Sequence, residues 1–198
     1  MTLITAIATQ KFVSFVGDSR GMSTKDGSIV SENLEKIYKV NKKIIIAASG
    51  DRVFHDVVIP EISKFDLENV DSCALSLHKV FGNNQTGKQF QLLIGGLNKY
   101  NHISYYVVSS SSTENPVPST PDEKSKVLTA TSINENTRKL LPDQILEDMT
   151  ALAVANDQEY RSFNERKAFK IQRRFNKEIS KHDNTVNNYL MQAVIHKL

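Results

Sequence analysis

The chain contains 198 residues, of which 39% are hydrophobic and 24% are charged, and its formal net charge is +3. This length and composition predict a single folded domain over residues 1–198 and exclude intrinsic disorder. The one cysteine, Cys73, excludes an internal disulfide and favours a reducing compartment. The sequence has no signal-peptide pattern and no apolar run of about 18 residues, so we expect a cytoplasmic protein without membrane segments.

The first fifty residues contain four short apolar segments that predict β-strands. These segments are residues 3–9, 12–16, 37–40 and 44–48. Only Gln10 and Lys11 connect the first two, so we expect a hairpin that holds the start of the chain in a sheet. The polar stretch 19–35 is predicted to be a loop with at most short extended pieces. Small and acidic residues in Ser49-Gly50-Asp51 predict the start of a helix.

The rest of the chain alternates between helical and extended patterns. Residues 70–81 repeat apolar side chains at helical spacing, which predicts an amphipathic helix. The serine- and proline-rich stretch 109–125 predicts a mobile surface loop. Further strands are predicted at 89–95, 102–108, 127–130 and 189–196, and a helical region at 135–181 with a break at Pro142. This order favours an α+β fold with helices layered on antiparallel sheets.

Thr2 is a candidate nucleophile. A threonine hydroxyl is weakly reactive until a base removes its proton. When Met1 is removed, Thr2 becomes the first residue, and its own α-amino group can serve as that base because its pKa of about 7.7–8.0 lies near neutrality. Most proteins that begin Met-Thr are not threonine hydrolases, so the interpretation depends on further residues.

Three further residues follow Thr2 at informative spacing. Asp18 lies sixteen residues after Thr2 in Gly-Asp-Ser-Arg, Lys36 lies in Glu-Lys-Ile, and Gly50 follows Lys36 by fourteen residues in Ala-Ser-Gly. The set resembles the catalytic threonine, Asp-Ser-Arg, lysine and Ser-Gly of proteasome β-subunits and HslV, which are N-terminal-nucleophile (Ntn) hydrolases. The loop before Lys36 is two residues longer than in that family.

The resemblance implies a fold and a role for each residue. The fold is the Ntn four-layer sandwich, in which two antiparallel sheets lie between layers of helices. Lys36 would favour the neutral form of the Thr2 amino group by charge repulsion, and Asp18 would keep Lys36 charged and oriented. The N–H of Gly50 would stabilise the oxyanion of a tetrahedral intermediate. The alternative for Asp18 and Lys36 is an ordinary surface salt bridge.

Two accessory positions match the family less well. Ser132, in Ala-Thr-Ser-Ile, lies where the family has Gly-Ser-Gly, and a helix N-cap is an equal alternative. Asp183 begins Asp-Asn-Thr-Val-Asn-Asn, where the family has Asp-x-x-Ser-Gly-Gly before its last strand. Val186 replaces the serine and two asparagines replace the glycines, so a turn aspartate is the more favoured interpretation of Asp183.

The resemblance therefore implies a threonine hydrolase that cleaves peptide or amide bonds through an acyl ester on Thr2. It also implies a peptide or protein substrate, a ring-shaped homo-oligomer and room for a separate ATPase partner. Two alternatives remain open: an inactive structural subunit of the same fold, and an Ntn amidase of a small metabolite. The basic segment 161–181 suggests nucleic-acid binding more weakly than it suggests a solvated helix face. No cofactor or metal is expected, since the five histidines are scattered without ligand spacing.

Overall fold

A computed structural model describes most of the chain. The described residues are 3–23, 25–50, 62, 67–81, 90–122 and 162–197, together with the backbone of 127–130. Thr2, Ser132, the predicted helix that follows residue 50 and the helical pattern of 135–161 lie outside them.

The described residues form ten strands and two helices of several turns. The strands before the first helix are β1 (Ile4–Ala8), β2 (Phe12–Asp18), β3 (Gly21–Met22), β4 (Ile29–Ser31), β5 (Ile37–Lys39) and β6 (Ile44–Gly50). The elements that follow are α1 (Val70–Phe81), β7 (Phe90–Leu97), β8 (Ile103–Ser109), β9 (Val127–Ala130), α2 (Glu165–Ile179) and β10 (Leu190–His196). The predicted helix at 70–81 and the predicted last strand are confirmed.

The first sheet has the order β10-β2-β1-β9 and is antiparallel throughout. Its two central strands form the predicted hairpin, which runs from Ile4 opposite Gly17 to Ala8 opposite Val13. Both strands are fully buried because each has a sheet neighbour on its other side and packed layers on both faces. The start of the chain is thereby held inside the sheet.

The second sheet has the order β5-β6-β7-β8 and packs face to face with the first sheet. Side chains along a strand alternate between the two faces of a sheet. Ile45 and Ala47 of β6 therefore join the cluster between the sheets, while Ile44 and Ile46 join a cluster with α1 on the opposite face.

The two helices pack on the outward faces of the two sheets. α1 contributes its buried side chains to the cluster with β6, β7 and β8. α2 lies against β1 and β2, where Ala168 and the preceding Phe163 contact Ile7 and Phe12. Among the described residues, neither helix is long and apolar enough to cross a membrane.

The end of the serine- and proline-rich segment is attached to the edge of the second sheet. Ser119 exchanges two backbone hydrogen bonds with Tyr105, at 2.8 and 3.0 Å, and Thr120 Oγ1 lies 2.8 Å from Ser104 Oγ. These bonds cover part of the β8 edge. The predicted mobility of 109–125 stays a prediction.

A buried glutamine fastens α2 to the central hairpin. Gln172 is 1% exposed, and its Nε2 donates to Thr5 O, Thr5 Oγ1 and Ser14 O at 3.0 to 3.1 Å. Its Oε1 accepts a 3.0 Å hydrogen bond from Ser14 Oγ. The Gln172 amide thus forms hydrogen bonds to both β1 and β2.

Replacing Gln172 with alanine is expected to lower the free energy of unfolding by about 2–3 kcal/mol, because buried polar groups of Thr5 and Ser14 lose their partner. Urea denaturation measures the change. Arg173→Ala, at the exposed neighbouring position, is the control and should change stability by no more than about 0.5 kcal/mol. Equal stabilities of the two variants would contradict the anchoring role of Gln172.

Candidate active site

Asp18 and Lys36 form a buried ion pair. Lys36 Nζ lies 3.0 Å from Asp18 Oδ2, and the two side chains are 1% and 0% exposed. A surface salt bridge, the alternative that the sequence left open, is therefore wrong. Burying two charges is costly unless they are paired and otherwise hydrogen-bonded, so such a pair calls for a functional or positional reason.

The Asp18 carboxylate is held by backbone donors as well as by Lys36. Leu3 N donates to Oδ1 at 2.9 Å and Arg20 N donates to Oδ2 at 2.9 Å. The Asp18 N–H in turn donates to Leu3 O at 3.1 Å, which continues the β1–β2 pairing by one residue. The carboxylate thus lies where the first strand begins and the second ends.

Lys36 reaches the same place from the second sheet. It immediately precedes β5, and its carbonyl accepts a 2.9 Å hydrogen bond from Ala48 N of β6. Burial holds the pKa of the Lys36 ammonium below its ordinary value, while the adjacent Asp18 charge opposes that shift and the positive Arg20 adds to it. The protonation of Lys36 therefore depends on its burial and on the charges of Asp18 and Arg20.

Gly50 lies at the same end of the second sheet as Lys36. Ser49 and Gly50 are the last residues of β6, opposite Gln91 and Phe90 of β7, so this strand is two residues longer than predicted. The predicted helix after them lies outside the described residues. Pairing with β7 extends the strand through a segment whose local composition suits a helix cap. Gly50 is exposed and has a φ of +115°, a conformation that favours glycine.

Asp183 is buried in the connection between α2 and β10. Its Oδ1 accepts hydrogen bonds from Thr185 N at 2.9 Å and Thr185 Oγ1 at 2.6 Å. This geometry is that of a turn aspartate. Val186, at the position of the family's serine, has no hydroxyl and is 3% exposed. The hydroxyl beside Asp183 belongs to Thr185, one residue earlier. The pair could be found in the sequence only by allowing that one-residue shift.

Sequence reasoning did not identify two side chains at this end of the sheets. Glu32 and Asn187 are joined by a 2.7 Å hydrogen bond from Asn187 Nδ2 to Glu32 Oε2, and Asn187 Oδ1 accepts from Ser19 N at 3.1 Å. The two residues are 155 positions apart. Asn187 stands where the resembled family has a glycine, and no pattern in the sequence links it to Glu32, so only the fold brings the two together.

Comparison with solved structures finds proteins of the same fold, among them an HslV and an Anbu. The crystal structure of eukaryotic HslV from Trypanosoma brucei matches with a TM-score of 0.66 at 13% identity, covering 98% of this chain and 99% of that chain. The Anbu (Gly-1) mutant from Hyphomicrobium sp. strain MC1 matches with a TM-score of 0.69 at 11% identity, covering 99% of this chain and 82% of that one. The chain has the fold of HslV.

The expected α+β fold is confirmed by these likenesses, which at such low identity establish the fold alone. No protein-family model matches the sequence, and no match to a curated protein sequence is found. What the chain does must therefore be argued from its own residues.

Proposed function

We propose that the chain is a threonine-type Ntn hydrolase whose nucleophile is Thr2, freed by removal of Met1. The observation that carries this proposal is the hydrogen bond from Leu3 N to Asp18 Oδ1 beside the buried Lys36. One peptide bond separates Leu3 from Thr2, and consecutive Cα atoms lie about 3.8 Å apart. This hydrogen bond supports a position for Thr2, as first residue of the processed chain, near the ion pair.

The chemistry follows from the charges around that position. A positive Lys36 raises the free energy of a second positive charge nearby, so the Thr2 amino group would lose its proton more readily and act as the base. Asp18 keeps Lys36 oriented through the 3.0 Å contact. The deprotonated Thr2 hydroxyl attacks an amide carbonyl, the amine leaves, and water then hydrolyses the resulting ester.

Gly50, Ser132 and Asp183 are proposed as accessory residues. Support for Gly50 is its position on β6 two residues after Ala48, which is hydrogen-bonded to Lys36. Its N–H would bind the oxyanion of the tetrahedral intermediate. Support for Asp183 is its place in the loop before β10, whose first residue, Leu190, lies opposite Asp18. Ser132 rests on the sequence resemblance.

The proposal extends to fold and assembly. The packing of α1 and α2 on the outward faces of two packed sheets supports the complete Ntn four-layer sandwich as one domain. The sequence resemblance to proteasome β-subunits and HslV is the support for a peptide or protein substrate and a homo-oligomeric ring in the cytoplasm, with a separate ATPase as a candidate partner.

Intact mass spectrometry before and after treatment with a threonine-directed β-lactone tests the proposal. We expect a mass that begins at Thr2, and a single adduct because one hydroxyl per chain is activated. The adduct should be lost in Thr2→Ala, and Thr2→Ser, which keeps an N-terminal hydroxyl, is the matched control that should retain it. A protein that keeps Met1 and takes no adduct would contradict the proposed function.

A further inference from the structure

Three segments that are distant in sequence meet beside the Asp18–Lys36 pair. They are the corner formed by Ser19 and Arg20 after β2, Glu32 just after β4, and residues 183–188 between α2 and β10, here called the 183–188 loop. β10 pairs with β2, and this pairing starts with Leu190 opposite Asp18. The 183–188 loop therefore ends next to the site.

Asn187 joins these segments through its side chain and backbone. It is 4% exposed, and its Oδ1 accepts from Ser19 N at 3.1 Å. Its Nδ2 donates to Glu32 Oε2 at 2.7 Å and to Glu32 O at 3.1 Å. Its carbonyl accepts a 2.7 Å hydrogen bond from Asn176 Nδ2 of α2. Asn187 thus connects the corner, the segment after β4 and a helix.

Arg20 closes the same network from the other side. Its Nε donates to Glu32 Oε2 at 3.1 Å and its Nη2 lies 3.0 Å from Glu32 Oε1, a two-pronged contact that fixes the orientation of both groups. Its Nη1 donates to the carbonyl of Asn184 in the 183–188 loop. These donors, Arg20 first and Asn187 second, hold the pKa of Glu32 below its ordinary value.

The network reaches the site through the backbone of the corner. Ser19 and Arg20 directly follow Asp18, and Arg20 N donates to Asp18 Oδ2, the oxygen that also contacts Lys36 Nζ. A displacement of the corner therefore displaces the Asp18 carboxylate and changes its contact with Lys36. A glycine at position 187 would provide neither the acceptor for Ser19 nor the donor for Glu32.

We propose that Asn187 is a positioning residue, which fastens the 183–188 loop to the corner and thereby holds Asp18 and Lys36 in their buried contact. This inference rests on the proposed function for its effect on reactivity. Its effect on the ion pair itself is independent of that function.

The test compares Asn187→Ala with Asn188→Ala. Asn188 is the exposed neighbour, and its Oδ1 accepts a 3.0 Å hydrogen bond from Ser180 Oγ at the end of α2. We expect Asn187→Ala to react with the β-lactone at least about tenfold more slowly than the unmodified sequence, because small displacements of reacting groups cost large factors in rate. Asn188→Ala should react with the β-lactone as fast as the protein of unchanged sequence.

A second measurement follows Lys36 directly, by a carbon-NMR titration of the lysine ε-carbons, with the Lys36 signal assigned from Lys36→Met. Asn187→Ala should move the Lys36 titration upward, toward the ordinary lysine value, because a loosened corner admits water to the pair. Asp18 and Arg20, the charged groups that act on Lys36, are still present in this variant, and burial is the largest of the effects on the Lys36 pKa, so its relief sets the direction of the change.

The two measurements separate the two proposals. In one outcome, the protein of unchanged sequence forms the adduct, and Asn187→Ala matches it in reaction rate and in Lys36 titration. That result overturns the positioning role and leaves the proposed hydrolase in place. In the other outcome, the protein of unchanged sequence forms no adduct. That result overturns the proposed hydrolase, and the Lys36 titration alone then decides the positioning role. Should Asn187→Ala fail to fold, Glu32→Gln replaces it, since the Glu32 side chain is 40% exposed and the loss of its charge weakens its contacts with both Arg20 and Asn187. An unchanged rate and titration in Glu32→Gln would equally overturn the inference.

Discussion

Lys36→Met is expected to abolish β-lactone adduct formation and to lower the free energy of unfolding by about 3 kcal/mol. The reactivity is lost because the amino group of Thr2 no longer has a positive neighbour that favours its neutral form. The stability is lost because the Asp18 carboxylate, 0% exposed, remains buried without a counter-charge. Leu3 N and Arg20 N still donate hydrogen bonds to this carboxylate. We therefore expect a loss of stability at the lower end of the range for breaking a buried ion pair.

The double variant Asp18→Asn/Lys36→Met separates the two effects. It carries no unpaired buried charge, so it should recover part of the stability lost in Lys36→Met while remaining unreactive. Urea denaturation and intact mass spectrometry measure the two quantities on the same samples. If Lys36→Met forms the adduct as fast as the protein of unchanged sequence, Lys36 has a structural role only. A double variant less stable than the single variant would show that charge burial is not the cause of the loss.

Gly96→Ala is expected to cost at least about 3 kcal/mol or to prevent folding. A Cβ at position 96 would lie 1.8 Å from the carbonyl oxygen of Lys43 and 2.9 Å from its carbonyl carbon. That carbonyl accepts a 2.9 Å hydrogen bond from Leu97 N, and Gly96 itself lies opposite Ile44 in the β6–β7 pairing. The obstructing atoms are backbone held in a central pair of strands, so they cannot move away without breaking the second sheet.

Gly27→Ala is the matched control for this glycine. Gly27 has a φ of +70°, and no atom of the described residues lies within 4 Å of where its Cβ would be, so alanine there has only the conformational cost of about 1–2 kcal/mol. Urea denaturation of both variants measures the difference. Similar losses at the two positions would contradict the close approach between β6 and β7.

Local patterns were sufficient for much of the fold. The β1–β2 hairpin, the helix Val70–Phe81 and the last strand were predicted because β-branched alternation and helical spacing are properties of neighbouring residues. Asp18 and Lys36 were also identified in the sequence, Asp18 by its spacing from Thr2 and Lys36 by its spacing from Gly50, because both spacings resemble those of a known family. These predictions needed no knowledge of which segments meet in space.

Predictions stopped where distant segments interact. The strand predicted at 44–48 continues through Ser49 and Gly50, because these two residues pair with Gln91 and Phe90. The sequence also left open whether Asp18 and Lys36 form a surface salt bridge, since burial depends on both sheets packing over the pair.

The composition and the period of the apolar residues thus predict most of the elements, and the resemblance to a known family identifies Asp18 and Lys36. The burial of that pair, its hydrogen bond to Leu3 at the start of the chain, and the contact between Glu32 and Asn187 follow from the tertiary structure. The physical reason is that a local pattern sets the preference of a segment for helix or strand. The solvation and partners of a charge depend on residues far away in the sequence, as when Arg20 donates to the carbonyl of Asn184, 164 positions later.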